Sequence, residues 1–246
     1  MTTEEYKARY YEVGPDNKVP LWTLQNYFQQ AACIDAHTLS FGLEELFPKG
    51  LGWVITKLQM EFLKPLNLED TFVVKTWHTL SDRLQSRREF VFSVNGEVIA
   101  RGTSFWVMID LNERKMVRTP QAFLDSNATN PKPLDIELSP FKRPQIEGVE
   151  LLNSNLVKVR LEDLDTNGHA NNTHFSAWCL GALPESEVQN LAIKDFIINF
   201  KAEALRGDEI DSLVYKTADK TYTHILKRRS DGKEIATALS IWQNRK

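Results

Sequence analysis

The chain contains, at residues 164–172, the polar stretch Leu-Asp-Thr-Asn-Gly-His-Ala-Asn-Asn, followed by an amphipathic run from Thr173 to Leu183. Apolar periodicity directly after polar residues is typical of a helix with a capped start. In an extended segment, alternate side chains project to the same side. Asp165, Asn167 and His169 would then share the side of the apolar residues 157, 159 and 161. The pattern predicts a polar cluster delivered into an apolar cavity where the helix begins.

This segment has three interpretations. Residues 163, 165, 167 and 168 match the first half of a calcium-binding EF-hand loop, but the glutamate required at position 12 is replaced by His174. A second interpretation is a polar turn in which Asn167 or Asn171 caps the helix. The third is a catalytic cluster, because capping alone does not require aspartate, asparagine and histidine together.

The same order of elements occurs twice along the chain. Each copy begins with a helical stripe of apolar residues, which comprises Leu24, Tyr27, Phe28, Ala31 and Ala32 in the first copy and Phe175, Trp178, Cys179 and Ala182 in the second. Strand-like stretches follow at 53–62, 71–79, 87–94 and 98–111, and again at 195–202, 210–217, 222–228 and 234–242. Asn95-Gly96 is a strong hairpin signal.

The segment between the copies is rich in proline and poor in apolar residues, which is typical of an extended linker. We therefore predict a first domain at 1–125, a linker at 126–148 and a second domain at 149–246. One long helix followed by antiparallel strands, repeated, predicts an α+β fold with a helix wrapped by a curved sheet in each half.

The Asp-x-Asn-x-His-x-Asn-Asn segment resembles that of the acyl-acyl carrier protein (acyl-ACP) thioesterases of plants and bacteria, where it opens the central helix of the second of two hotdog domains. Residues 200–208, around Glu203, resemble the segment with the family's catalytic glutamate, which lies on a strand. Residues 52–59, 87–90 and 104–108 resemble the first domain of the family. Plant members often carry cysteine beside the glutamate, whereas this chain has Ala204, so a Cys-His-Asn scheme is excluded at that position.

The resemblance implies a double hotdog fold and hydrolysis of the thioester bond of fatty acyl-ACP, which releases free fatty acid and terminates fatty-acid synthesis. The partner is then an acyl carrier protein with a phosphopantetheine-linked fatty acyl chain, and no cofactor is needed. Hydrolysis of acyl-coenzyme A, a non-catalytic acyl-binding protein and a dehydratase on the same scaffold are the alternatives, because a fold does not fix a function.

The resemblance also nominates the catalytic residues Asp165, Asn167, His169 and Glu203. Glu203 or Asp165 would take a proton from water, or Asp165 would attack directly, and the residues leave this choice open. His169 would position the water or protonate the thiol, and Asn167 would donate a hydrogen bond. The backbone N–H groups near Asn171 and Asn172, at the start of the helix, would stabilise the oxyanion; these two residues are therefore expected to bind substrate. His174 is expected to be a surface or supporting residue.

Substrate contacts outside the motif are expected in two places. The first helix begins with apolar residues, so the first domain is expected to hold the acyl chain, with Trp22, Phe28 and Trp53 lining the pocket. Because carrier proteins are acidic, docking is expected at Arg87 and Arg88. Residue 83 and residues 227–229 offer further basic side chains, and a solvated strand face is the alternative for all of them.

Composition sets the remaining expectations. The 246 residues carry a net charge of −3 and no basic excess, which argues against nucleic acid as a partner. Cys33 and Cys179 are expected to be buried free thiols. No apolar run approaches the roughly 20 residues of a membrane-spanning helix, and no signal or transit peptide pattern is present, so we expect a cytoplasmic, bacterial protein. Neither a metal-ligand spacing nor a Gly-x-Ser-x-Gly elbow occurs in the sequence. Either a monomer or a homodimer is compatible with two fused domains.

Overall fold

The computed structural model describes residues 1–81, 83–126, 131–141 and 144–245. The chain divides into two compact units, residues 1–137 and residues 138–246. Among the described helices, none is both long and apolar enough to cross a membrane.

The first unit contains a five-stranded antiparallel sheet with a short sixth strand. Its elements in chain order are β1 (Thr2–Lys7), α1 (Leu21–Thr38), α2 (Leu43–Leu46), β2 (Leu51–Phe62), β3 (Thr71–Ser81), β4 (Gln85–Val94), β5 (Glu97–Asp110), β6 (Lys115–Val117) and α3 (Gln121–Asp125). The strand order is β1-β3-β4-β5-β2, with β6 paired to β5.

The second unit repeats this plan with a shorter helix. Its elements are β7 (Leu151–Lys158), α4 (Asn172–Gly181), α5 (Glu185–Val188), β8 (Leu191–Phe200), β9 (Glu209–Ala218), β10 (Thr221–Arg228) and β11 (Glu234–Asn244). The strand order is β8-β11-β10-β9-β7, and every pair is antiparallel.

The predicted apolar stripes of the two helices are confirmed. All five stripe residues of α1 and all four of the second copy are buried, and the ring of Phe28 packs on the ring of Phe90 of β4 with centroids 4.1 Å apart. The predicted hairpin is also confirmed: Asn95 and Gly96 join β4 to β5 with φ of 49° and 81°, the left-handed values that such a turn requires.

The predicted strands are present with shifted ends. The stretch predicted at 195–202 is β8, which begins at Leu191 and ends at Phe200. The strands β1 and β6 and the short helices α2, α3 and α5 were not predicted, and only the end of β7 was anticipated. The α+β class, with a helix against an antiparallel sheet in each half, is confirmed, although α4 has 10 residues where α1 has 18.

The segment at 131–137 contains no helix or strand, yet it is hydrogen-bonded to the sheet of the first unit. Three side chains of the sheet donate to its backbone carbonyls. Gln59 on β2 donates to the carbonyl of residue 137 (2.8 Å), Trp77 on β3 to that of residue 132 (3.3 Å) and Arg87 on β4 to that of residue 134 (3.4 Å). Residues 127–130 and 142–143 of the predicted linker lie outside the described residues, and its boundaries stay a prediction.

The prediction of two buried thiols is correct for only one of them. Both cysteines are free, and Cys179 is buried, but Cys33 is exposed. Cys33 is not part of the apolar stripe of α1, so helical periodicity already placed it off the buried face.

Candidate active site

The polar motif forms a tight turn, so its predicted extended conformation is wrong. Leu164 and Ala170 form an antiparallel bridge, and the N–H of Asp165 donates to the carbonyl of His169 at 2.7 Å. Gly168 closes the turn with φ of 75°. Residues 165, 167 and 169 therefore do not share one face, and Asn167 lies exposed at the tip.

The side chain of Asp165 holds this turn together. Its Oδ1 accepts hydrogen bonds from the N–H of Asn167 at 2.8 Å and from the N–H of His169 at 3.2 Å. Aspartate commonly bonds the backbone two residues further on, which favours a turn over an extended chain. Asp165 is thus bound to His169 through the backbone.

His169 and Glu203 are brought together by their side chains. Nε2 of His169 lies 3.3 Å from Oε2 of Glu203, and the two side chains are 37% and 29% exposed. Glu203 lies in the loop after β8, not on a strand as the resemblance implied. The backbone aligns the pair: Ala170 donates to the carbonyl of Ala204 at 2.9 Å, and His169 bridges Leu205.

Arg228 supports the loop that carries Glu203. Its Nη1 donates to the carbonyl of Glu203 at 3.1 Å and lies 3.6 Å from the carboxylate of Asp208, while its Nη2 donates to Asp231 at 2.7 Å. The hydrogen bond from Arg228 lowers the pKa of the Asp231 carboxyl to about 2. Sequence reasoning missed this residue as a support and named it only as a basic side chain for docking; its 16% side-chain exposure is low for that role.

The start of α4 is capped as one of the interpretations expected. Asn171 is the N-cap, and its Oδ1 accepts from the N–H of Thr173 at 3.1 Å. The N–H of Asn171 donates to the carbonyl of Asp163 at 2.8 Å, so this group is engaged and does not face a substrate. Asn172 is the first residue of α4, where an unshared N–H group would be available to an anion.

A second histidine–carboxylate contact lies next to this cap. Nδ1 of His174 is 3.2 Å from Oδ1 of Asp163, and the other carboxylate oxygen of Asp163 accepts from the N–H of Arg160 at 2.7 Å. These contacts fix the backbone of Asp163, which in turn holds Asn171. A supporting position for His174 agrees with this geometry. Asp163 was missed as a support, because Arg160-x-x-Asp163 is not the Ser/Thr-x-x-Glu/Gln pattern that marks a capping box in sequence.

No described group of three or more histidine, cysteine, aspartate or glutamate side chains is arranged to hold a metal ion. In the segment that imitates a calcium loop, Asp163 and Asp165 direct carboxylate oxygens to backbone N–H groups, as a capped turn does.

The predicted acyl-pocket residues occupy different environments in the first unit. Phe28 is 2% exposed, whereas Trp22 is 37% exposed. Trp53 is half-buried and donates from Nε1 to the carbonyl of Phe41 at 3.1 Å. Their role in holding an acyl chain stays a prediction.

Arg87 and Arg88 do not form the exposed docking surface that the sequence analysis expected. Arg88 is buried and donates to Asp35 on α1 at 2.8 Å. The side chain of Arg87 is 12% exposed and is paired with the fully buried Glu89. Burial of Glu89 raises the pKa of its carboxyl, an effect that Arg87 opposes. Neighbouring residues on a strand face opposite sides, and here both sides of the sheet are covered.

The second unit also contains a buried histidine that the sequence analysis did not single out. His224 of β10 is fully buried, and its Nε2 lies 2.8 Å from Oγ of Ser240 on β11. Burial lowers the pKa of His224 to about 3, although the backbone of Cys179 on α4 acts in the opposite direction. The ring is therefore neutral at physiological pH.

Family models match both units. The model of the acyl-ACP thioesterase N-terminal domain matches residues 1–126, and the model of the C-terminal domain matches residues 147–244. A chloroplastic oleoyl-acyl carrier protein thioesterase of Arabidopsis thaliana is 25% identical over an alignment of 274 positions, gaps included, which covers 98% of this chain and 76% of that protein. A chloroplastic acyl-[acyl-carrier-protein] hydrolase of Cuphea viscosissima is 26% identical over an alignment of 268 positions, which covers 98% of this chain and 62% of that protein.

Two solved structures share the fold. An acyl-ACP thioesterase from Bacteroides thetaiotaomicron superimposes with a TM-score of 0.86 at 23% identity, covering 98% of this chain and 97% of the other. The 12:0-ACP thioesterase from Umbellularia californica gives a TM-score of 0.86 at 23% identity, covering 99% and 97%. This similarity confirms the predicted double hotdog fold. Because the two family models together cover most of its length, the chain belongs to the acyl-ACP thioesterase family and is a thioester hydrolase.

Proposed function

We propose that this protein hydrolyses the thioester bond of fatty acyl-acyl carrier protein, and that His169 and Glu203 carry out the proton transfers. The observation that supports this assignment is the 3.3 Å contact between Nε2 of His169 and Oε2 of Glu203. Both side chains are partly exposed and lie beside the start of α4, so a substrate and a water molecule can reach them.

The contact suggests how the protons move. An ionised carboxylate only accepts hydrogen bonds, so Nε2 of His169 carries the proton and Nδ1 is free to accept one. His169 takes a proton from water as the water oxygen attacks the thioester carbonyl carbon. Glu203 stabilises the imidazolium that forms. When the carbon–sulfur bond breaks, the imidazolium returns the proton to the leaving thiolate, and the products are a free fatty acid and a thiol.

The oxyanion of the tetrahedral intermediate needs hydrogen-bond donors with a fixed orientation. The N–H of Thr173 donates to the side chain of the N-cap Asn171. The N–H of Asn172 is therefore the first candidate donor to the oxyanion. The dipole of α4 adds a favourable partial positive charge at the same end of the helix.

Asp165 is proposed as a positioning residue in this scheme. Its Oδ1 accepts two backbone N–H groups of the turn, including that of His169, so this oxygen is engaged in fixing the backbone from which the imidazole projects. As a nucleophile, Asp165 would have to attack through its other carboxylate oxygen, because Oδ1 holds the turn. Replacing Asp165 should therefore loosen His169 without removing a reacting atom.

The test is thiol release from acyl-ACP by the wild type and by Glu203→Gln and His169→Gln variants. Loss of a positioned acid-base group should lower the rate by roughly 10²–10⁴-fold. Glu209→Gln is a matched control, because this exposed carboxylate begins β9 in the same unit and its replacement removes the same charge. A folded Glu203→Gln protein with wild-type turnover would rule out the proposed pair.

The same assay compares alternative activities. A higher kcat/KM on acyl-coenzyme A than on acyl-ACP would favour an acyl-CoA thioesterase. Tight binding of acyl-ACP without thiol release would instead indicate an acyl-binding protein that has kept the fold.

A further inference from the structure

An exposed patch of two leucines and two arginines borders the His169–Glu203 pair. Leu161 is 63% exposed and Leu205 is 43% exposed. Arg160 and Arg206 directly adjoin them in the sequence and are exposed as well. Single exposed apolar residues need no explanation, but apolar side chains rimmed by charge beside a reactive site are typical of an interaction surface.

Backbone hydrogen bonds place the two halves of the patch side by side. On one edge of the loop after β8, Leu205 forms an antiparallel β-bridge with His169. On its other edge, Gly207 donates to the carbonyl of Val159 at 2.9 Å, and Val159 donates to the carbonyl of Asp208 at 2.9 Å. Residues 160–161 and 205–206 therefore flank one short backbone pairing, with His169 immediately next to it.

The charges of the patch favour an acidic partner. Arg160 lies 3.6 Å from Glu162, but both side chains are more than two-thirds exposed, so this ion pair is weak and open to exchange. The nearby carboxylate of Asp208 is engaged by Arg228 and by the N–H of Leu205. Among the described residues, Arg206 has neither an ion pair nor a side-chain hydrogen bond. Its charge is available to a partner.

We propose that Arg206 and Arg160, together with the neighbouring Leu205 and Leu161, dock the acidic surface of the acyl carrier protein that delivers the thioester. This inference rests on the proposed function and specifies where its partner binds. The thioester is attached to the carrier through a flexible arm, so the carrier must sit at the opening through which that arm reaches His169. The patch adjoins His169 through the β-bridge between His169 and Leu205, which fits this requirement, and the positive charge of its two arginines complements an acidic protein surface.

Charge reversal in the patch separates docking from chemistry. We would measure kcat/KM for wild type, Arg206→Glu and Arg206→Gln on one acyl chain attached to three carriers: acyl carrier protein, phosphopantetheine and pantetheine. Arg206→Glu should lower kcat/KM on acyl-ACP by about tenfold or more, because like charges across an interface repel. Arg206→Gln should cause a smaller loss. Neither variant should alter hydrolysis of the acyl-pantetheine.

Lys194→Glu is the matched control. This lysine is 56% exposed near the beginning of β8, whereas Glu203 follows the other end of that strand. The Lys194→Glu substitution makes the same change of charge outside the patch and should leave kcat/KM on all three carriers unchanged. Added salt should reduce kcat/KM on acyl-ACP more for the wild type than for Arg206→Glu, because screening weakens the attraction of Arg206 in the wild type and relieves the repulsion in the variant.

Other outcomes would overturn the proposal. Equal losses on acyl-ACP and acyl-pantetheine would mean that the substitution disturbs the Glu203 loop. A loss on acyl-phosphopantetheine as large as on acyl-ACP would assign Arg206 to the phosphate group and not to the protein. Unchanged kcat/KM on acyl-ACP would show that the carrier docks elsewhere. If the wild type released no thiol from any carrier, the proposed function itself would be refuted. That result differs from the three above, in which the wild type is active and only the docking proposal fails.

Discussion

Replacing His224 by glutamine should make the stability of the protein less sensitive to acid. The ring is fully buried, and Nε2 lies 2.8 Å from Oγ of Ser240. The amide of glutamine can occupy a similar position and still form a hydrogen bond to Ser240, but it does not titrate. The substitution therefore removes one proton-binding group while keeping the polar contact.

The direction of this pH dependence follows from the pKa of His224 in the folded and in the unfolded chain. Burial lowers the pKa of His224 from 6.5 to about 3. Between these values the unfolded chain binds a proton that the folded chain does not. The stability associated with the neutral ring is therefore present above pH 6.5 and is lost progressively as the pH falls toward 3. Each unit of pKa difference corresponds to about 1.4 kcal/mol, so the loss from about pH 8 to about pH 5 is about 2 kcal/mol.

Urea denaturation at these two pH values tests the prediction. The free energy of unfolding of the wild type should decrease between them by about 2 kcal/mol more than that of His224→Gln. Groups that titrate in both proteins cancel in this comparison. His37→Gln, which removes an exposed histidine of α1, tests whether the loss of any histidine has the same effect. Equal pH dependence in wild type and His224→Gln would refute the reasoning.

Three further substitutions test supporting contacts. Arg228→Ala removes the donor to the carbonyl of Glu203, so kcat should fall about tenfold to hundredfold through misplacement of that side chain, while circular dichroism shows a folded protein. Gly102→Ala places a methyl group against the ring of Phe90 in the first sheet; urea denaturation should show a loss of about 1–3 kcal/mol, and no loss would contradict this packing. Asn171→Ala removes the acceptor at the start of α4 and should cost about 1 kcal/mol in the same assay, whereas an unchanged midpoint would mean that the cap is dispensable.

The fold was predictable where local periodicity and tertiary burial agree. The stripe of α1 and the Asn95-Gly96 turn are such cases, because the residues that favour the local conformation also form the buried face. The strand β1 was missed because it is a polar edge strand, in which alternate residues are exposed. Its conformation depends on pairing with β3, which lies about 70 residues further along the chain in register, and local sequence carries no signal for such pairing.

The site was predictable as a set of residues but not as a geometry. The motif and its family resemblance nominated His169 and Glu203, which the structure brings together. The extended conformation was wrong because the carboxylate of Asp165 competes for backbone N–H groups and Gly168 permits a left-handed residue. The burial of Arg88 was not predictable either, since its partner Asp35 is distant in sequence and the strand pattern gives no indication of a buried ion pair.

Apart from the buried Ile136, the segment at 131–137 should vary in sequence but not in length. Three side chains of the first sheet recognise it through its backbone carbonyls, which every amino acid possesses. Exchanging its side chains leaves those acceptors in place. Inserting or deleting one residue between 132 and 137 would shift at least one carbonyl away from Gln59, Trp77 or Arg87. Although surface connections usually tolerate insertions, homologous chains should keep a constant spacing here even where the residues themselves have diverged.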